Sequence, residues 1–169
     1  MQTHLITPDE VANLSRGMSV HVSDEKIEIY LSESENLDVK TALGDALFLD
    51  IKANPDKYEL LLSGGEYEKC GEKKLLVGLK SALAYYTYAR LAKNGDGNIT
   101  RFGFVNKEYE YSNRPEYKEK QIAYNDAFDV ASRYMKECID YLCENREKFP
   151  LFKKGRIKTN GTRYRVIGE

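Results

Sequence analysis

Apolar residues in the second half of the chain recur at steps of four, three, four, three and four positions, which is the spacing of one helix face. This stripe consists of Tyr124, Phe128, Ala131, Met135, Cys138 and Leu142. It predicts the longest helix of the chain, which Pro115 opens and which continues to about Lys148, before Phe149-Pro150. A second stripe predicts another long helix from about Glu72 to Lys93, with Gly78 in its interior.

Shorter helices are predicted in front of this pair. Thr7-Pro8-Asp9-Glu10 is typical of a helix start, because threonine caps, proline fits the first turn and acids favour the positive end of the dipole. A second helix is predicted to begin at Ser23 and to break or bend at the polar run SESEN. A third should cover about 37–53, with Leu37 among its apolar positions. Pro55 is predicted to open a short helix that ends at Ser63-Gly64-Gly65.

The remaining segments have no helical stripe. Residues 94–98 have the composition of a loop, and 99–111 are expected to form an irregular excursion or a short hairpin. The fold class is therefore predicted to be mainly α. We expect a small helical bundle with two long helices, an extended loop or short hairpin between them, and an extended C-terminal arm. The expected division is a helical domain over 1–150 and a basic arm over 151–169.

The charge of the chain is unevenly distributed, although its formal net charge is only -1. Residues 1–69 hold 6 Lys/Arg and 14 Asp/Glu, whereas residues 150–169 hold 6 Lys/Arg and 1 Asp/Glu. The six cations of the arm fall between Lys153 and Arg165. An acidic front and a basic arm on one chain indicate contacts between copies or with a charged partner.

Length and hydropathy predict one domain that is not a membrane protein. The chain has 169 residues, a mean hydropathy of -0.60 and no apolar run near the roughly 18 residues that a membrane-spanning helix needs. No secretory signal is visible at the N-terminus. Cys70, Cys138 and Cys143 follow neither a disulfide framework nor a zinc pattern, which fits assembly in a reducing cytoplasm.

The sequence contains no motif that supports catalysis, so we expect a protein that is not an enzyme and has no catalytic residues. Only two histidines, His4 and His21, could pair with a cysteine. The run AKNGDGNITRFG has the look of a calcium loop, but Ala92 and Gly103 stand where its first acid and its bidentate glutamate belong. We therefore also expect no metal and no cofactor.

Several motifs occur in a characteristic order along the chain. They are LGDALFLDIKANPDKYELLLSGGEYE, then KKLLVGLKSALAYYTYARL, then ITRFGFVNKEYEYS, and then a long helix that ends at ENREKFP. In this order they resemble the head–tail connector (adaptor or head-completion) proteins of tailed phages. The sequence is most similar to the version in crAss-like podophages, over about residues 37–150.

The resemblance implies a structural virion protein. Such proteins form a ring, usually of twelve copies, at the portal vertex, where the ring extends the DNA channel and offers a platform to the next protein. The implied partners are further copies of the chain, the portal protein, the next neck or tail protein, and genomic DNA that passes without sequence-specific contact. The implied location is the head–tail junction of the virion.

Two groups of residues are the candidate contacts. The first lies on the arm and is expected to hold the portal or a neighbouring subunit: Lys153, Lys154, Arg156, Ile157, Lys158, Arg163, Tyr164, Arg165 and Val166. The second lies on the segment between the long helices and is expected to contact a neighbour or face the channel: Asn98, Arg101, Phe102, Phe104, Lys107, Tyr109 and Tyr111. A ring needs unlike surfaces on the two sides of each subunit, and the acidic front and basic arm provide them.

Other classes of function stay open. The arm could instead bind nucleic acid, because its cations could contact phosphates and Tyr164 could stack on a base. The chain could also be another assembly module, or an enzyme whose site has no familiar motif. A histidine or cysteine that lies in a cleft with carboxylates would favour the enzyme.

Overall fold

A computed structural model describes residues 4–18, 22–95, 97–100, 103–106 and 117–153. The prediction of a mainly α chain is confirmed. The elements in chain order are α1 (Pro8–Leu14), α2 (Asp24–Ser34), a π-helical turn (Glu35–Val39), α3 (Lys40–Leu43), α4 (Asp45–Ala53), a 3-10 turn (Pro55–Tyr58), α5 (Glu59–Ser63), β1 (Gly65–Lys69), β2 (Glu72–Leu76), α6 (Leu79–Asn94), β3 (Gly97–Thr100), β4 (Gly103–Asn106) and α7 (Tyr117–Glu144).

The core is built on the pairing of α6 with α7, and α1 and α2 pack against α6. Small side chains are buried on both long helices: Ala82, Ala84 and Ala89 on α6, and Ala127 and Ala131 on α7. Aromatic rings also link the pair, since Tyr86 meets Phe128 edge to face with centroids 5.0 Å apart.

Several local predictions are confirmed by the structure. Thr7 forms a capping box with Glu10: its Oγ1 accepts from the Glu10 N–H, and its own N–H donates to Glu10 Oε2. By contrast, at the polar run SESEN, where a break or bend is predicted, the backbone stays helical through the π-helical turn and into α3. The segment between the long helices contains an antiparallel hairpin, β3–β4, with Ile99 opposite Phe104.

The long helix predicted from Glu72 is wrong, because its first five residues form β2 instead. β1 and β2 pair antiparallel around a turn at Cys70-Gly71, where both residues have positive φ. This hairpin places Tyr67 and Leu76 on its inner face and leaves Leu75 exposed, so the apparent helical stripe was coincidental. Helix α6 begins only at Leu79.

Gly78 was expected inside that helix and stands at its N-cap, with φ +97°. A Cβ at Gly78 would lie 2.6 Å from the Gly64 backbone nitrogen, and a Cβ at Gly64 would lie 2.4 Å from the Leu76 oxygen. The two glycines therefore let the start of α6 cross the end of α5 backbone to backbone.

Three further predictions need correction. The helix expected over 37–53 is divided at Gly44, which has φ +82° and cannot continue a helix. Leu37, predicted as one of its apolar core positions, is 62 % exposed on the π-helical turn. Helix α7 ends at Glu144 rather than near Lys148, because the chain enters tight turns at Asn145, whose N–H and side-chain amide both bond to the Tyr141 carbonyl.

Candidate functional site: two interaction surfaces

Lys153 is the one predicted arm contact that falls within the described residues, and it is exposed. The others lie outside them: Lys154, Arg156, Ile157, Lys158, Arg163, Tyr164, Arg165 and Val166. Of the predicted loop contacts, Asn98 lies on β3 opposite Val105, and Phe104 lies on β4. The remaining five, Arg101, Phe102, Lys107, Tyr109 and Tyr111, also lie outside the described residues.

The root of the arm is fixed to the domain by aromatic packing. Phe149 and Phe152 are both buried in the core. The Phe149 ring lies 5.6 Å from the Tyr141 ring and 6.0 Å from the Tyr58 ring, centroid to centroid. Leu151 is exposed between them. The chain therefore stays packed on the domain as far as Phe152, and its basic segment begins at the next residue.

The β1–β2 hairpin is attached beside this root, at the C-terminal end of α7. Lys74 Nζ lies 2.7 Å from Glu144 Oε1, and Lys69 Nζ donates to the Glu144 backbone carbonyl at 2.6 Å. The Tyr67 ring meets the Tyr141 ring edge to face at 4.9 Å. The ammonium group of Lys74 lowers the pKa of the Glu144 carboxyl. Two cations thus lie at the C-terminal end of α7, where the negative end of the helix dipole favours positive charge.

A second surface lies on the solvent-facing side of α2 and the π-helical turn. Ile27, Leu31, Glu35 and Val39 are buried at steps of four residues. Residues two positions away from these point to the opposite side. We call this side the α2 outer face, and its exposed members are Glu25, Ile29, Glu33 and Leu37, with the exposed Glu28 at its edge, next to Ile27 in sequence.

The α2 outer face combines negative charge with exposed apolar side chains. Ile29 is 59 % exposed and Leu37 is 62 % exposed. Glu33 Oε2 lies 3.6 Å from Arg90 Nε, so one of the three carboxylates has an internal cation, and the half-buried Lys26 flanks the face. A mixture of carboxylates and large apolar side chains suits a partner that carries cations among apolar residues.

A buried carboxylate lies behind this face. Glu35 is 1 % exposed, and its Oε2 accepts from Lys52 Nζ at 2.8 Å and lies 3.3 Å from His4 Nδ1. Its Oε1 accepts from the Leu5 N–H. The cluster joins the N-terminal segment, the π-helical turn and α4, and its donors compensate the burial of the charge.

Arg90 of α6 makes the neighbouring polar contacts. Its Nη1 lies 2.7 Å from Asp38 Oδ2 and 3.2 Å from Ser34 Oγ. Burial raises the pKa of the Asp38 carboxyl, and the adjacent Arg90 guanidinium acts in the opposite direction. Together with the Glu35 cluster, this pair fixes the π-helical turn on which Leu37 is presented.

A histidine beside a carboxylate would favour an enzyme, and His4 does lie beside the Glu35 carboxylate. That carboxylate also binds Lys52 and the Leu5 N–H, so Glu35 is saturated by groups of the fold itself. Cys138 is fully buried, and burial raises the pKa of its thiol to about 12. Over the described part of the chain, no group of three His, Cys, Asp or Glu side chains could hold a metal ion, and no helix is long and apolar enough to cross a membrane.

Sequence reasoning missed the α2 outer face, the Glu35 cluster and the β1–β2 hairpin. The one available signal for Glu35 was the polar run SESEN within an apolar pattern, which indicated a bend but no buried charge. The signal for the hairpin was Cys70-Gly71 after the alternating Glu66, Tyr67 and Glu68.

Comparison with known proteins gives a single result. The searches of curated proteins and of solved structures each returned no match. A model of a family of unknown function, DUF6712, matches residues 39–161, which include α4 to α7 and both hairpins. Because this match covers more than half of the sequence, the chain belongs to the DUF6712 family of unknown function.

Proposed function

We propose that the chain is a non-catalytic structural protein of a tailed-phage virion that forms a ring, of about twelve copies, at the portal vertex. Each copy is a small helical bundle with an extended C-terminal arm. The ring joins the portal protein to the next neck or tail protein and extends the channel through which genomic DNA passes. The resemblance of residues 37–150 to head–tail connectors supplies the location and the partners.

The observation that carries this proposal is the presence of two unlike surfaces on one chain. The α2 outer face is acidic and apolar, whereas the segment that begins at Lys153 is basic and apolar. A head-to-tail interface, which closes a ring, joins two different patches rather than one patch to itself. Complementary charge favours such a contact.

The attachment of the arm supports the same function. Phe149 and Phe152 hold its root in the core, beside the hairpin that Lys74 and Tyr67 attach to α7. A firm root gives the arm a defined point of departure. The sixteen residues after Lys153 can extend at most roughly 50 Å, which exceeds the roughly 40 Å width of a domain of this size. The arm is therefore long enough to reach an adjacent subunit or the portal.

Electron microscopy of the concentrated full-length protein tests this function. We expect annular particles with a central opening wide enough for duplex DNA. A protein that stays monomeric at every concentration, in low salt as well as in physiological salt, would contradict a ring.

Nucleic-acid binding through the arm is the alternative function. The exposed Lys153 at the start of a basic segment favours it. In that case the affinity for a DNA duplex would fall steeply with salt, with a slope set by the number of phosphate contacts. A ring component that passes DNA without specific contacts should bind the same duplex weakly, and its particles should survive nuclease treatment.

A further inference from the structure

The structure leaves one surface with two large apolar side chains in solvent and a surplus of negative charge. This surface is the α2 outer face, where Ile29 and Leu37 are both more than half exposed. Glu25 and Glu28 are exposed on the same helix near Ile29, and neither is part of any ion pair identified among the described residues. Isolated apolar side chains are ordinary on a protein surface, but two on one helix face among carboxylates indicate a partner of particular chemistry.

The sequence of the arm has the complementary composition. Arg156, Ile157 and Lys158 place an apolar residue between two cations. Arg163, Tyr164, Arg165 and Val166 repeat this alternation. Ile157 and Tyr164 thus have a cation on both sides and Val166 has one on one side, which complements apolar side chains that share a helix face with carboxylates.

We infer that the C-terminal arm of one copy docks on the α2 outer face of an adjacent copy. This inference deepens the proposed ring and rests on it, since it names the two patches that form the subunit contact. Cations of the arm meet Glu25 and Glu28, and Ile157, Tyr164 or Val166 cover Ile29 and Leu37. The contact is heterologous, because the arm and the α2 outer face are different surfaces.

The dimensions of the α2 outer face allow this contact. Glu25 and Leu37 are twelve positions apart on continuous helix, which corresponds to about 18 Å at 1.5 Å per residue. About six residues of extended chain cover that length. The π-helical turn that carries Leu37 is fixed from behind by Glu35 and Arg90, so the face is preorganised for a partner.

Crosslinking of an isotope mixture tests the inference on the full chain. Equal amounts of ¹⁴N- and ¹⁵N-labelled protein are mixed, and a carbodiimide joins lysines directly to carboxylates that touch them. We expect links from Lys153, Lys154 or Lys158 to Glu25 or Glu28, with half of them between a light and a heavy peptide. Links within one isotope only would show that the arm folds back on its own domain and would overturn the inference.

Charge reversal is the second part of the test. Glu25→Lys/Glu28→Lys should weaken self-association at least about tenfold, and so should Arg163→Glu/Arg165→Glu, because each places like charges opposite one another. A mixture of the two variants should restore association, since each arm then meets a face of opposite charge. Asp129→Lys/Glu137→Lys, on exposed positions of α7, has the same change in net charge as Glu25→Lys/Glu28→Lys, and as the control for that variant it should have no effect. Equal weakening by the control, or no rescue on mixing, would overturn the inference.

These outcomes separate the inference from the proposed function. Particles that form without any crosslink between the arm and the α2 outer face would leave the ring standing and would refute the docking site. Protein that never self-associates would contradict both.

Discussion

Glu35 Oε2 lies 2.8 Å from Lys52 Nζ, and this buried ion pair joins the π-helical turn to α4. The same carboxylate accepts the Leu5 N–H and contacts His4. The pair therefore fixes the orientation of the helix whose opposite side is the α2 outer face. A surface with a rigid support gains affinity for any partner, because less ordering is needed on binding.

Removal of the Glu35 carboxylate should destabilise the fold. Glu35→Ala leaves buried donors without their acceptor, and we expect a loss of about 3 kcal/mol in the free energy of unfolding. Glu35→Gln keeps an acceptor oxygen but removes the charge that pairs with Lys52, so it should lose less than Glu35→Ala, about 2 kcal/mol. Urea denaturation followed by circular dichroism measures both. Equal losses in the two variants would contradict a role for hydrogen bonding at this position.

The crossing of the start of α6 over the end of α5 should leave no room for a side chain at Gly78. Gly78→Ala places a Cβ against backbone atoms in a positive-φ conformation, so we expect a loss of about 3 kcal/mol or more in the free energy of unfolding. Gly71→Ala is a matched control with φ +80° and no atom within 4 Å of the added Cβ. It should lose about 1 kcal/mol, from backbone strain alone. A Gly78→Ala variant as stable as Gly71→Ala would refute the close crossing.

Asp50 should contribute stability that is lost in acid. Lys57 Nζ, Tyr58 Oη and Asn54 Nδ2 all donate to its carboxylate, and the Lys57 and Tyr58 hydrogen bonds lower its pKa to about 2. A lowered pKa stabilises the folded state above the ordinary value of 3.8, and this stabilisation is lost as the pH falls toward 2.

Thermal unfolding as a function of pH measures this contribution. The melting temperature of the wild type should fall more steeply than that of Asp50→Asn between pH 3.8 and about 2. Tyr58→Phe removes one donor and brings the folded-state pKa closer to 3.8, so its loss should be smaller and should end at a higher pH than in the wild type. Identical curves for the wild type and Asp50→Asn would contradict the assignment.

The cysteines should differ sharply in reactivity. Cys70 is exposed at the β1–β2 turn, whereas Cys138 is buried with a pKa raised to about 12. At about pH 8, a thiol reagent should therefore modify Cys70 quickly and Cys138 only after unfolding, because the thiolate is the reactive form. Cys70→Ser should abolish the fast phase. Rapid modification of Cys138 in the folded protein would contradict the packing of α7.

Local signals explain what the sequence could predict of this fold. The α7 stripe was clear because its apolar residues follow one helical period, and Thr7 with Glu10 formed a complete capping box. The β1–β2 hairpin was missed because Leu75, Leu76, Leu79 and Leu83 fit a helical period by chance. Tertiary contacts favour the hairpin over a helix in this segment, since Tyr67 packs on Tyr141 and Lys74 binds Glu144.

The candidate surfaces were less predictable than the fold. Composition alone indicated the basic arm, because six cations occur between Lys153 and Arg165. Leu37 was expected in the core, and its exposure depends on the π-helical turn that places Glu35 and Val39 inward. The Glu35 cluster joins segments that are distant in sequence, so no local spacing could reveal it.

Native mass spectrometry of the full-length protein at high concentration tests the central claim most directly. A closed ring of about twelve copies predicts a discrete species near 230 kDa, given a chain mass of 19.4 kDa, and this species should disappear in Glu25→Lys/Glu28→Lys. A single species at the mass of one chain, unchanged by concentration and by that substitution, would contradict the account.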